Sequence, residues 1–366
     1  MLKKTAVIVL SVLLILNICA LVAFADPSNL PQVEKKLLDP QTSAWTSYLH
    51  SGMGEQIRCA TFVTLPKNFS AYESYHFCLR EKLDEGLIFE EDSLKVTLDT
   101  VDGADLSESF VFTETHEGLQ LLCTDLRKLS DLGDSKILVI SYLVSLNPKA
   151  VLGNPGNGIV SVLEYIEDPE AENEASSSLL STEPVSATVY TYGLQIGKVD
   201  GDTQLPVTGV EFCLRNADGL YLLLRERASV GSWVEEERKA SVLVTDEQGR
   251  ATVRGLAPGT YYLKETKTAN GYRLPEEAME LTLTVDYSAD GRVKKLTATE
   301  AGEEPVSSSD PSFGIAQIQV DNTYGPELPP TGGIGAAIYY IIGFVAVFAG
   351  CLVFVAKRRG GTASAV

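Results

Sequence analysis

The sequence predicts an all-β protein: two tandem immunoglobulin-like β-sandwich domains, flanked by a signal peptide and a C-terminal transmembrane helix. Three observations carry that expectation. Short runs rich in β-branched and aromatic residues recur along the chain, each bounded by turn residues. No long amphipathic helical period competes with them. Each end carries an apolar segment of the kind that export and membranes use.

With 366 residues, 45% of them hydrophobic, the chain can fill two cores of ordinary domain size once its ends are set aside. The net charge of -19 excludes nucleic acid as a partner, because a phosphate backbone demands a basic stripe and none is visible. Such acidity suits a solvated, extracellular surface.

Residues 1–25 are expected to be the signal peptide. Lys3 and Lys4 precede an apolar run over 6–16, and Ala23 and Ala25 supply the small residues for cleavage between Ala25 and Asp26. The first sandwich is expected over residues 26–168, with strand-like runs at 57–65, 75–79, 94–98, 136–144 and 160–165. Residues 169–186, containing Glu170, Glu172, Glu174 and three consecutive serines from Ser176, have too little apolar content to pack and predict a linker. The second sandwich is expected over 187–325, with hairpin turns at Asp218-Gly219, Gln248-Gly249, Pro258-Gly259, Asn270-Gly271 and Asp290-Gly291. An acidic, Ser-rich loop over 300–311 is expected to project from it. Residues 326–366 close the chain: an apolar stretch over 334–356, long enough at ~1.5 Å per residue to cross a bilayer, is followed by Lys357, Arg358 and Arg359. Those charges place the C-terminus in the cytoplasm and the bulk of the chain outside.

Four cysteines remain between the terminal segments: Cys59, Cys78, Cys123 and Cys213. Each sits in an apolar or alternating run without a CxxC spacing, so buried thiols are preferred to metal ligands, and a Cys59–Cys78 pair requires adjacent strands. His50, His76 and His116 stand in no nucleophile or metal motif. The expectation is therefore no enzyme, no metal and no cofactor, apart from one self-modifying set.

That set follows from alternation. Leu194, Ile196 and Lys198 share one face of a strand; so do Tyr261, Leu263 and Glu265, and Ile318, Val320 and Asn322. Three inward apolar stripes thus each end in one polar residue: an amine, a carboxyl and a carboxamide. In a low-dielectric site a neutral Lys198 can attack the Asn322 side-chain carbonyl, while a protonated Glu265 polarises that carbonyl and passes a proton to the departing ammonia. The product is a Lys–Asn isopeptide bond; the alternative is an unreacted Lys198–Glu265 ion pair.

The stretches Lys198-Val199-Asp200, Gly209 to Phe212, Gly255 to Thr266, Ala269 to Tyr272 and Val320-Asp321-Asn322 resemble a Cna B-type (prealbumin-like) isopeptide domain. Val33-Glu34-Lys35, Tyr75-His76-Phe77, Glu81, Gly86 to Phe89 and Leu163-Glu164-Tyr165 resemble the fimbrial isopeptide-forming domain that precedes it in many pilins. This second resemblance implies Lys35 as amine and Glu81 as acid. Where the family carries its acceptor asparagine this chain has Ile159 and Glu167, leaving Asn157, or Asn154 beside it, as the acceptor; an ion pair of Lys35 with Glu81 or Glu167 is the alternative.

Leu328, Pro329, Pro330, Thr331 and Gly332, placed directly before the apolar stretch and basic tail, resemble the LPXTG cell-wall sorting signal of Gram-positive surface proteins. The resemblance implies that a sortase cysteine attacks the Thr331 carbonyl and that an amine from a peptidoglycan precursor or another pilin subunit accepts the acyl group. For subunit joining, the nearest lysine string is Leu65-Pro66-Lys67-Asn68, with a solvated loop lysine as the alternative. The expected function is a secreted, cell-wall-anchored fimbrial (pilus) subunit. The alternative is a wall-anchored adhesin for a host surface ligand, which an exposed aromatic cluster of Trp45, Tyr48 and Tyr72 would favour.

Overall fold

The computed structural model describes residues 29–115, 118–167, 169–170, 179–224, 232–302 and 314–324. The expected signal peptide, the Leu328 to Gly332 motif and the apolar stretch 334–356 lie outside these residues, as does most of the loop at 300–311. Among the described residues the regular structure is strand, interrupted by short 3-10 turns such as Phe69–Ala71 and Glu237–Lys239. No described helix is long and apolar enough to cross a membrane.

The first half packs two sheets face to face. One has the order Trp45–Thr46, Gln32–Leu38, Ile57–Thr64, Ile137–Leu146 and Leu87–Phe89, with Lys95–Leu98 also paired to Ile137–Leu146. The other runs Tyr48–His50, Val185–Tyr190, Asn157–Ile166, Phe77–Leu83, Gly118–Cys123 and Val111–Thr115, with Leu179–Ser181 also on Asn157–Ile166. The period of two is visible in burial: Ile57, Cys59, Thr61 and Val63 face inward from one strand, and Asn157, Ile159, Ser161, Leu163 and Tyr165 from another.

The second half is built around Tyr192–Asp200, which lies between antiparallel Arg250–Leu256 and parallel Ile315–Asn322. A seven-stranded sheet centred on Glu211–Asn216, Gly259–Lys267 and Met279–Tyr287 covers it. Tyr192, Leu194, Ile196, Phe212, Leu214, Leu263 and Leu281 fill the core between them.

Of the expected linker over 169–186, residues 171–178 lie outside the described residues, and the structure corrects the part from 179 onward. Leu179–Ser181 and Val185–Tyr190 both pair with Asn157–Ile166, and Val185–Tyr190 also accepts the parallel Tyr48–His50. The reason is local alternation: Ala187 and Val189 are buried against the first half's core while Ser186 and Thr188 face away. Only Thr191 separates Tyr190 from the strand that opens at Tyr192, so the halves are joined without a spacer. Further contacts clamp the junction. Met53 N donates to Gly255 O at 2.8 Å, the Asn154 side chain bonds both N and O of Val293, and the Tyr48 and Tyr287 rings meet edge to face.

All four cysteines in the described residues are buried free thiols. Cys59 and Cys78 stand in opposite sheets, so the adjacency a disulfide between them needs is absent.

Candidate functional site: two buried lysine–glutamate centres

Alternation delivers Lys198, Glu265 and Asn322 to the interior of the second half. Their residues are 0%, 5% and 2% exposed. Lys198 Nζ lies 3.1 Å from Glu265 Oε2 and donates to the Asp321 carbonyl at 3.2 Å. That second contact places the amine beside the backbone of the residue preceding Asn322. It follows from the parallel register, in which Lys198 aligns with Val320 and Asp200 with Asn322. The Asn322 amide donates to Thr268 Oγ1 at 3.2 Å.

Burial dominates the electrostatics: it pulls the Lys198 pKa below the ordinary lysine range, with Glu265 and Asp321 partly offsetting the shift. Neither Glu265 oxygen has an aligned hydrogen bond, although Oε2 is within ion-pair distance of the amine. A buried amine with so few partners is costly to keep charged, which favours the neutral form of Lys198. Asp200, one step further along the Lys198 face, is bound differently. Thr203 N and the Tyr272 hydroxyl hold its carboxylate at a pKa of about 2.

In the first half the structure brings Lys35 and Glu81 together, with Nζ to Oε2 at 2.7 Å and both residues buried. This centre differs from the other in being fully satisfied. Lys35 Nζ also donates to Tyr142 OH at 2.8 Å and Thr61 Oγ1 at 3.1 Å, so all three N–H bonds of an ammonium have oxygen acceptors. Glu81 in turn accepts from Thr61, Tyr142 and, at 3.2 Å, Ser161.

Asn157 is not in this centre. Its side chain bonds Val151 N and O and Val189 O. Along its strand it stands four residues, ~13 Å, from Ser161, the residue that does face Glu81. Asn154 is used at the junction with Val293, Ile159 is core, and Glu167 is represented by its carbonyl, which accepts from Tyr72. Of the set Lys35, Glu81 and Asn157, the geometry therefore keeps the ion pair and drops the acceptor.

Thr61, Tyr142 and Ser161 were not singled out in the sequence, although each occupies an inward position on its strand's alternation. The signal was available in the same form that identified Lys198. Lys67 is exposed, in the turn before Phe69–Ala71. Tyr72 lies in the core against Tyr75, and Trp45 packs edge-on against Phe62, so Trp45, Tyr48 and Tyr72 form no common exposed cluster.

The two halves form a tandem β-sandwich, each with one buried lysine–glutamate centre, and solved Gram-positive pilus backbone proteins share that fold. Residues 193–301 match the family described as the SpaA prealbumin-like fold domain, which covers most of the second half. Over 91% of its length the chain is 24% identical to the trypsin-resistant surface T6 protein of Streptococcus pyogenes serotype M6, of which it covers 69%. Solved structures share the fold. The group B streptococcus pilus 2b backbone protein superposes with a TM-score of 0.57 at 19% identity, over 82% of this chain and 99% of that one. The T6 backbone pilin of Streptococcus pyogenes gives 0.56 at 21% identity, over 81% and 70%.

Proposed function

We propose that the chain is a pilus subunit of a Gram-positive cell surface, stabilised by a self-formed bond between Lys198 and Asn322 and joined covalently to its acceptor through Thr331. The observation that carries the reading is the buried, poorly solvated Lys198–Glu265 pair beside Asn322. Burial makes the amine nucleophilic by favouring its neutral form. Lys198 Nζ attacks Cγ of Asn322, Glu265 carries the proton from the amine to the amide nitrogen, and one ammonia leaves as the amide forms. No external reagent is required, so the reaction runs once per chain and is not turnover catalysis. The similarity to the T6 surface protein supports the placement at the cell surface.

By the same reading, a sortase cleaves between Thr331 and Gly332 and passes the acyl group to a wall-precursor or subunit amine. The test is the intact mass of the purified exterior, residues 26–325. The wild type should be lighter than its sequence by one ammonia, and Lys198→Ala or Asn322→Ala should carry the full calculated mass. A wild type of full mass sinks the bond.

A further inference from the structure

A second polar cluster lies on the opposite face of the strand that supplies Glu81. Phe77, Leu79 and Glu81 point into the core, so His76 and Cys78 point the other way, yet they are only 4% and 1% exposed. Glu164 stands directly across from Cys78 on the neighbouring antiparallel strand. One ligand atom each from His76, Cys78 and Glu164 falls within 4.8 Å of the others, and His76 Nε2 is 3.6 Å from Glu164 Oε1.

We propose that His76, Cys78 and Glu164 form a site for a divalent transition ion of the zinc type, three protein ligands with a water molecule completing the tetrahedron. The donor set is the first argument: one imidazole, one thiolate and one carboxylate suit a borderline-soft ion, and neutralise its charge, whereas calcium and magnesium take oxygen. The second is the support around it. Gln120 Nε2 lies 3.1 Å from Cys78 Sγ, and Arg80 Nη1 donates to Glu164 Oε2 at 2.9 Å. Each anionic ligand thus has its own N–H donor, and Glu164 is left presenting Oε1 toward His76, as outer-shell groups do around bound metals.

Zinc bonds of about 2.0–2.3 Å put tetrahedral ligands roughly 3.5 Å apart, a separation His76 and Glu164 already have at 3.6 Å, so binding needs only a side-chain rotation to bring Cys78 in. Binding converts the Cys78 thiol to thiolate and releases its proton to solvent. The bound ion would pin Phe77–Leu83 to Asn157–Ile166 across the outer face of the first half. The sequence hides the site because Glu164 comes from a strand distant in the chain.

The test is a cobalt titration of the purified protein after chelator treatment. One equivalent of Co²⁺ should produce a thiolate-to-metal charge-transfer band that Zn²⁺ then abolishes, and zinc should raise the melting temperature. The band should be lost in Cys78→Ala and retained in Cys213→Ala, which removes a thiol from the other half. Glu164→Gln, close to isosteric, should weaken binding by about tenfold or more. The proposal is overturned if wild type gives no band at stoichiometric cobalt, if Cys78→Ala keeps it, or if Glu164→Gln binds as tightly as wild type. Should Cys78→Ala fail to fold, the wild-type and Glu164→Gln titrations decide the matter alone.

Discussion

Replacing Asn322 by Ala removes the proposed acceptor while leaving Lys198 and Glu265 at their 3.1 Å separation. The bond from Lys198 to Asn322 closes a loop of roughly 125 residues, and the loop-entropy relation established for cross-links assigns such a closure about 5 kcal/mol. For a folding unit of this size that corresponds to a fall of about 15 °C in melting temperature. Lys198→Ala should cost more, because it also leaves Glu265, whose side chain is only 3% exposed, without the partner that stands 3.1 Å from it; a buried polar group left unsatisfied adds about 1–3 kcal/mol. The expected order of stability is therefore wild type, then Asn322→Ala, then Lys198→Ala. Scanning calorimetry, with intact mass measured on the same samples, checks it. The reasoning fails if wild type has lost its ammonia and Asn322→Ala nevertheless melts at the wild-type temperature, since the tie would then contribute nothing.

The first half should contain no such bond: peptide mapping should recover the Lys35 and Asn157 peptides unlinked, and a linked pair would contradict the placement of Asn157. Glu81→Ala should nonetheless destabilise the protein by about 3–5 kcal/mol, measured by denaturant unfolding, because it leaves the buried Lys35 amine without its carboxylate. Asp200 has a depressed pKa, so its contribution is complete above the unfolded value of 3.8 and is lost as pH falls toward about 2. Acid-unfolding curves of wild type and Asp200→Asn should accordingly differ above pH 4 and converge below 2. Thr331→Ala should leave the chain in the membrane fraction or the medium; a wall-linked ladder from that variant would refute the sorting reading.

The second half was the more legible in the sequence, for a physical reason. Lys198, Glu265 and Asn322 each end an uninterrupted inward stripe, so a period of two was enough to place all three in the interior. The first half was read less well because its centre is assembled from small polar residues. Thr61 and Ser161 sit inward, but a hydroxyl in a strand does not announce itself as a buried carboxylate does. The strands that replace the linker expected from 179 to 186 have a different origin. Composition describes what a segment can bury by itself, whereas Leu179–Ser181 and Val185–Tyr190 gain their place from a strand already formed elsewhere. The outward burial of His76 and Cys78 is likewise invisible to alternation, which predicts the face but not what covers it.

The direct passage from Tyr190 to Tyr192 has a consequence for the molecule as a mechanical element. With a single residue between the two sheets, and Met53, Asn154 and Tyr48 fastening their flanks, the junction is held on several sides among the described residues. The subunit behaves as one short beam instead of two beads on a string. In a filament of such beams, curvature under flow would collect at the joints between successive copies, and the filament's bending stiffness would be set by those joints and the length of the subunit.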